Sequence, residues 1–475
     1  MLAVAALGGC GSPERGDSAP APPVEPSSRP DIVLVSIDSL RHDHLGCYGY
    51  GKPTSPRIDA LAAEGVRFEN AVSTTSWTLP AHAALFTGLF DSAHGLVDNG
   101  LELSDRVVTL AEALQGAGYR TAGFYGGPYL HPTFGLDQGF DTYVSCMTTI
   151  EDTLPQDEVR AIAGGDTNVS HQDVTGPRTL EAVRGLAESL DDRPLFLFVH
   201  LWDVHYDYIP PAEMVHLFDP EYTGTLTGRD MMHDPAIHAG MPQADLQHLI
   251  ALYDGEIRFT DGILGEILEV LAQRGRLDDT VVVITADHGE EFFEHGHKGH
   301  QQSLYEEVVR VPLIVRWPGR IDAGRVVEDQ VRLIDVMPTL LALAGVPNPS
   351  EMQGRDLGPL LRGGTLPPEP ALCDLDVAGV RELHAVRTNR SKYVSFPTPH
   401  WWQIGYQYFD LERDPGERDL LPVWSEGWFE SRRTLGRLRD DSRALAERLG
   451  ETVVPTAPLD DEMLDRLRSL GYVGD

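Results

Sequence analysis

Ile32-Val33-Leu34-Val35-Ser36-Ile37, followed at once by Asp38-Ser39-Leu40-Arg41, is the stretch on which the fold turns. A near-continuous apolar run of this length reads as a strand buried on both faces, the kind found inside parallel sheets. Residues 120–125, 195–200, 281–285 and 311–317 repeat the pattern, and residues 109–118, 179–190 and 245–274 between them carry helical periodicity. Pro56 and Pro338 suit helix starts. Strands alternating with helices predict an α/β core, a mostly parallel sheet flanked by helices. The character changes after about residue 366. Residues 384–396 and 406–411 suggest a small antiparallel sheet, and residues 430–449 and 460–470 charged surface helices. The expected organisation is a core over 31–365 and a smaller C-terminal α+β subdomain over 366–475.

The 475 residues carry 38 Lys+Arg against 73 Asp+Glu, a formal charge of −35. Such a field repels nucleic acid and anionic lipid surfaces, so an anionic substrate needs a local positive centre. Residues 1–10 are apolar and small, and Leu7-Gly8-Gly9-Cys10 has the pattern of a lipoprotein-type signal segment. Residues 11–30 contain six prolines and suit an unpacked tether. The expectation is export and anchoring at a bacterial cell envelope through Cys10, with no other membrane contact. Cys47, Cys146 and Cys373 are odd in number and far apart, which suggests neither a disulfide framework nor a zinc cluster.

Ligands in open α/β sheets bind at the carboxyl ends of strands. The first strand ends in Asp38, and the strand over 281–285 ends in Asp287-His288. Thr78-Leu79-Pro80-Ala81-His82 opens a short helix between them. Two carboxylates and an imidazole at one sheet edge make a mixed O/N site for a divalent cation. A hydroxyl beside that cation is activated as a nucleophile. Taken singly, each residue has a plainer role. Thr78 suits an N-cap, Asp38 and Asp287 suit helix caps, and His288 suits a core histidine. Their coincidence at three strand-end positions favours a site.

These stretches resemble the sulfatase-like family of the alkaline phosphatase superfamily. The resemblance rests on Ser36-Ile37-Asp38-Ser39-Leu40-Arg41, Gly46-Cys47-Tyr48-Gly49, Ser76-Trp77-Thr78-Leu79-Pro80, Trp202-Asp203-Val204-His205, Thr285-Ala286-Asp287-His288-Gly289 and Leu304-Tyr305-Glu306-Glu307. It extends to Leu470-Gly471-Tyr472-Val473. It implies a metal held by Asp38, Thr78, Asp287 and His288, with Thr78 where sulfatases carry the cysteine or serine that becomes formylglycine. Oxidised threonine gives a ketone, so no formylglycine is expected. His82 stands where the family has arginine, and Ser39 where it has a second aspartate.

A threonine nucleophile is similar to that of phosphodiesterase and of phosphoethanolamine- and phosphoglycerol-transferase relatives. The leading expectation is thus a phosphoester hydrolase or phosphotransferase acting on a small-molecule, glycan or lipid head-group ester. The alternatives are a sulfatase working without formylglycine and a non-catalytic glycan- or lipid-binding protein. The resemblance also implies His205, His300 and Lys298 as donors to substrate. In its two-metal version Asp203, His205 and His300 hold a second cation. Zn, Mn, Ca and Mg all suit the ligand types. Residues 145–178 and 206–245 are expected to set selectivity.

Overall fold

A computed structural model describes residues 29–147, 174–349, 351–377, 381–398 and 404–456. The signal segment, most of the tether, the helix expected over 460–470 and the Leu470–Val473 motif lie outside the described residues.

The main sheet has eight strands. In chain order they are β1 (Asp31–Ile37), β2 (Val66–Val72), β3 (Arg120–Tyr125), β4 (Thr142–Ser145), β5 (Leu195–Leu201), β6 (Thr280–Thr285), β7 (Arg310–Arg316) and β8 (Arg325–Arg332). Their spatial order is β8-β2-β7-β6-β1-β5-β3-β4. β1 lies at the centre, parallel to β5 on one side and β6 on the other. All seven of its residues are buried. Each such aliphatic side chain contributes about 1.5–3 kcal/mol relative to exposure. β7 alone runs antiparallel to its neighbours, so the sheet is mostly parallel, as the sequence predicts.

Helices α1 (Pro56–Glu64), α2 (Thr78–Thr87), α3 (Leu110–Gly116), α4 (Gly176–Glu188), α5 (Gln243–Gln273) and α6 (Val336–Leu343) accompany the sheet. Pro56 occupies the first turn of α1, where a missing N–H costs nothing. α3 is fixed by a capping box in which the Thr109 hydroxyl accepts from Glu112 N–H and Glu112 returns the bond. α5 runs 31 residues and presents Tyr253 to the loop after β1. The Tyr253 hydroxyl donates to Ser39 O at 2.8 Å and accepts from Arg41 N–H at 2.9 Å.

The C-terminal part forms an antiparallel sheet, β9 (Ala371–Val377), β10 (Arg381–Arg387), β11 (Ser391–Pro397) and β12 (Ile404–Asp410), in that order. Helix α7 (Trp428–Leu449) packs against it through Trp428, Leu435 and Leu438. A buried ion network ties this sheet to the core. Lys392, 0% exposed, donates to Leu304 O at 2.8 Å and Glu306 at 3.0 Å and forms an ion pair with Glu417 at 2.8 Å, while Arg387 holds Glu306 at 2.7 Å. Farther along, Val453–Pro455 pairs with Leu101–Leu103 of the core. No described helix is long and apolar enough to cross a membrane.

Candidate active site

The loops after β1 and β6 and the start of α2 meet at one point on the sheet edge. Asp38, Thr78, Asp287 and His288 are all within 1% of complete burial. Asp38, Asp287 and His288 each offer a ligand atom within 4.8 Å of the others. Ser39 supports the pair from a left-handed backbone, φ 55°, a conformation uncommon for a residue with a side chain. From there its hydroxyl donates to Asp38 Oδ1 at 2.8 Å and its N–H to Asp287 Oδ1 at 3.2 Å. His288 N–H gives Asp287 Oδ1 a second bond at 2.9 Å.

Each aspartate thus has one satisfied oxygen and one orphan. Asp38 Oδ2 and Asp287 Oδ2 have no hydrogen-bond partner among the described residues. Burial, reinforced by the neighbouring Asp287 charge, pushes the Asp38 carboxyl up to about 8. Two buried carboxylates facing one another with bare oxygens are the arrangement a cation neutralises, so the donor set fits a divalent metal.

Thr78 is the first residue of α2, and Trp77 occupies the N-cap position without a side-chain bond. The N-cap reading of Thr78 is therefore replaced: its hydroxyl lies 3.2 Å from His288 Nε2. His288 Nδ1 sits 2.9 Å from Gly289 O, and a carbonyl only accepts, so Nδ1 carries the hydrogen. The Nε2 lone pair then faces Thr78 and the aspartates, the tautomer a metal ligand needs. α2 is buried on every side, so this hydroxyl has little freedom to move.

Two histidines stand behind the carboxylates. His82 Nδ1 donates to Thr78 O at 2.9 Å and its Nε2 lies 3.0 Å from Ser36 Oγ. Burial, followed by His200, lowers its imidazole to about 3, so it supplies no positive charge where the family has arginine. It holds the first turn of α2 instead. His200, on β5, escaped the sequence reading because it sits inside an apolar run. Its only advertisement is being the one polar residue in Leu195–Leu201. Its Nδ1 donates to Gly126 O at 2.7 Å, and its Nε2, 3.4 Å from Asp38 Oδ2, has no hydrogen-bond partner among the described residues.

On the outer side His300 and His205 line up beside His288, with ring centroids at 4.3 Å from His288 to His300 and 5.0 Å from His300 to His205. Glu290, also unanticipated, orients His300 through Nδ1 at 3.1 Å. Burial lowers the His300 imidazole to about 4 and raises the Glu290 carboxyl to about 8. His205 stacks on Trp202 at 3.9 Å and donates from Nδ1 to Tyr206 O at 2.6 Å.

Two expected residues are placed elsewhere. Asp203 accepts from the N–H and hydroxyl of Thr175 at 2.8 and 3.0 Å, which fastens the start of α4. Among the described residues, Asp203, His205 and His300 do not gather into a three-ligand cluster, so the second-cation version of the site is not assembled. Lys298 donates to Met231 O and Ile237 O at 2.6 and 2.8 Å, securing the 206–245 region instead of reaching the aspartates.

Gly289 is required by close approach. A Cβ there would stand 2.0 Å from Glu307 O. We expect Gly289→Ala to shift the Asp287-His288 turn and cost about 3 kcal/mol, the upper end of overpacking penalties. A melting curve with unchanged midpoint would contradict this.

Comparison with known proteins places the chain by family and fold. Residues 30–346 match the Sulfatase family, and residues 294–423 match the C-terminal region of N-sulphoglucosamine sulphohydrolase. The uncharacterized sulfatase YidJ of Escherichia coli K12 is 27% identical over 358 residues, covering 69% of this chain and 70% of that protein. Human arylsulfatase A is 28% identical over 434 residues, covering 81% and 77%. Among solved structures, the phosphonate monoester hydrolase of Agrobacterium radiobacter superposes with a TM-score of 0.66 at 23% identity, covering 90% of this chain and 100% of the other. BT4656, solved with its substrate D-glucosamine-2-N,6-O-disulfate, gives 0.69 at 21% identity, covering 89% and 99%.

The fold and the buried carboxylate–imidazole edge define a hydrolase acting on ester bonds. The chain belongs to the Sulfatase family, within the alkaline phosphatase superfamily.

Proposed function

We propose that the protein is a metal-dependent phosphoester hydrolase or phosphotransferase, acting on a phosphodiester, with Thr78 as nucleophile. The observation that carries the reading is the Thr78 hydroxyl, 3.2 Å from His288 Nε2 at the edge of the bare Asp38–Asp287 pair. Asp38, Asp287 and His288, with the Thr78 oxygen, would hold the cation. When bound, it supplies charge that favours the Thr78 alkoxide and offsets charge developing on the phosphoryl oxygens.

The chain's own groups do the rest. Thr78 Oγ1 gives up its proton to solvent and forms a bond to phosphorus as the bond to the leaving group breaks, and the departing alkoxide takes a proton from solvent to leave as the alcohol. A second nucleophile, water or an acceptor hydroxyl, then breaks the phospho-threonine bond and restores Thr78. Pro80 has no N–H, so Thr78 and Leu79 provide the first-turn amide donors for the oxyanion. His300, oriented by Glu290, and His205, oriented by Tyr206 O, face the substrate side. A glycan or lipid head-group ester suits the loops over 206–245, and anchoring through Cys10 would place the enzyme at the cell envelope.

Sulfuric-ester hydrolysis is the second reading, favoured by the names of the relatives. One assay separates the two. The metal-reconstituted protein is given aryl sulfate, aryl phosphate, aryl phosphodiester and phosphonate monoester, with Thr78→Ala as blank. Preferred diester or phosphonate cleavage that vanishes in the blank supports threonine phosphotransfer. Dominant aryl sulfate cleavage overturns it, and absence of turnover with metal bound points to a binding protein.

A further inference from the structure

The hairpin that follows His288 carries a second cluster outside the site. Glu291, His295 and Glu307 each present a ligand atom, all within 4.8 Å of one another. Glu291 lies in the short strand Glu291–Phe292 and is 0% exposed. Neither carboxylate oxygen has a partner in full hydrogen-bond geometry among the described residues, although the Ser303 hydroxyl is near enough to favour the charged form. Leaving a buried carboxylate bare is costly, so something outside the hydrogen-bond network is needed to satisfy it.

His295 is built to face it. Its Nε2 lies 3.3 Å from Glu417 O, and its Nδ1 lies 2.6 Å from Glu307 Oε1. The Tyr305 ring stacks on the imidazole at 3.6 Å and fixes its plane. A carbonyl only accepts, so Nε2 carries a hydrogen. With no ion bound, Nδ1 also carries a hydrogen and donates it to Glu307, whose hydrogen bond and charge raise the imidazole; a cation would displace that proton and take the freed lone pair, while the outer N–H stays tied to backbone. Metal-bound histidines share this arrangement. Nearby cationic side chains are already committed: Arg41 to Asp43 and Glu294, Lys392 to Glu306 and Glu417, Arg387 to Glu306. Burial and then Glu307 push the Glu291 carboxyl up to about 8, more than Ser303 and His295 offset.

We infer that Glu291, His295 and Glu307 form a second, structural divalent-cation site of the zinc type. Two carboxylates and one imidazole suit Zn2+ and leave a fourth position for water. The His295 side chain is 11% exposed, which gives the ion an entry. Bound there, it would join the hairpin that carries His300, the turn Glu306–Val309 and, through Glu417 O, the C-terminal subdomain.

Metal stoichiometry tests this. Protein stripped by chelator is re-equilibrated with Zn2+ and analysed by elemental mass spectrometry. Wild type should hold two ions, Glu291→Gln one, Asp287→Asn one, and the double variant none. Glutamine is isosteric with the protonated glutamate that an ion-free cluster would contain, so Glu291→Gln should fold; His295→Gln serves as a second variant. Chelator should lower the melting temperature of Asp287→Asn by several degrees and leave the double variant unmoved. Equal metal content in Glu291→Gln and wild type would overturn the site. Failure of the catalytic-metal reading looks different: wild type and Asp287→Asn would each hold one ion and Glu291→Gln none.

Discussion

Thr78→Ala should leave the melting temperature and metal content close to wild type and lower kcat/KM on the best substrate by about 10^3–10^5-fold, the range expected when a nucleophile is removed and the binding machinery stays. The folded state loses only a methyl and a hydroxyl at the first position of α2. His82 still donates to the backbone carbonyl of residue 78, so the turn keeps its anchor. Thr78→Ser should restore a large part of the rate, because it keeps the oxygen. A fold-matched Thr78→Ala enzyme with wild-type turnover would remove the threonine from the reaction. Mass spectrometry of quenched wild type should reveal a phosphoryl adduct on the peptide containing Thr78 and none in the alanine variant.

Lys392→Met should be the most damaging single change to stability. Lys392 is wholly buried and balances Glu306 and Glu417, with Arg387 as the second cation. Removing one partner of a buried ion network leaves an uncompensated charge and costs about 3–5 kcal/mol. The loss should depend on pH. Burial holds the Glu417 carboxyl up at about 7 even beside Lys392, so the folded state binds this proton more tightly than the unfolded chain does. Stability from such a group is present at low pH and is lost as pH rises through the folded value. Without Lys392 that value climbs further, so the gap between variant and wild type should widen from pH 5 to pH 8. Urea unfolding at both pH values measures it. A constant gap would mean that Glu417 does not carry the uncompensated charge.

The core strands were legible because burial on both faces writes itself as an apolar run. β1, β3, β5 and β6 fall where the sequence puts them. β2 and β8 did not announce themselves: Val-Arg-Phe-Glu-Asn-Ala-Val and Arg-Val-Val-Glu-Asp-Gln-Val-Arg mix charge with apolar residues, as strands near an open edge do. β9 was missed on similar grounds, its Ala-Leu-Cys-Asp-Leu-Asp-Val being broken by two aspartates.

Within the site, strand-end position singles out Asp38, Asp287 and His288 as neighbours, since topology brings those ends together, whereas Thr78 opens a helix and is picked out by the resemblance. Hairpin residues were harder. Lys298 and His300 are two apart and simple alternation would give them one face, but Gly299 at φ 77° breaks the alternation. One therefore secures Met231 and Ile237 while the other joins His288. Asp203 shows the same limit, because a carboxylate that fastens a helix start and one that binds a cation are written with the same letter.

The bonds made by Lys392 and Glu417 bear on how the polypeptide is made. A ribosome delivers Asp38, Thr78, Asp287 and His288 well before residues 387, 392 and 417, which pin the segment beside them. Val453–Pro455 closes onto Leu101–Leu103 later still. Such long-range pairing slows folding and leaves growing chains exposed to aggregation. A nascent chain that has not yet reached residue 417 therefore carries the pocket's residues without the buried ion pairs that pin the Glu306 segment beside them.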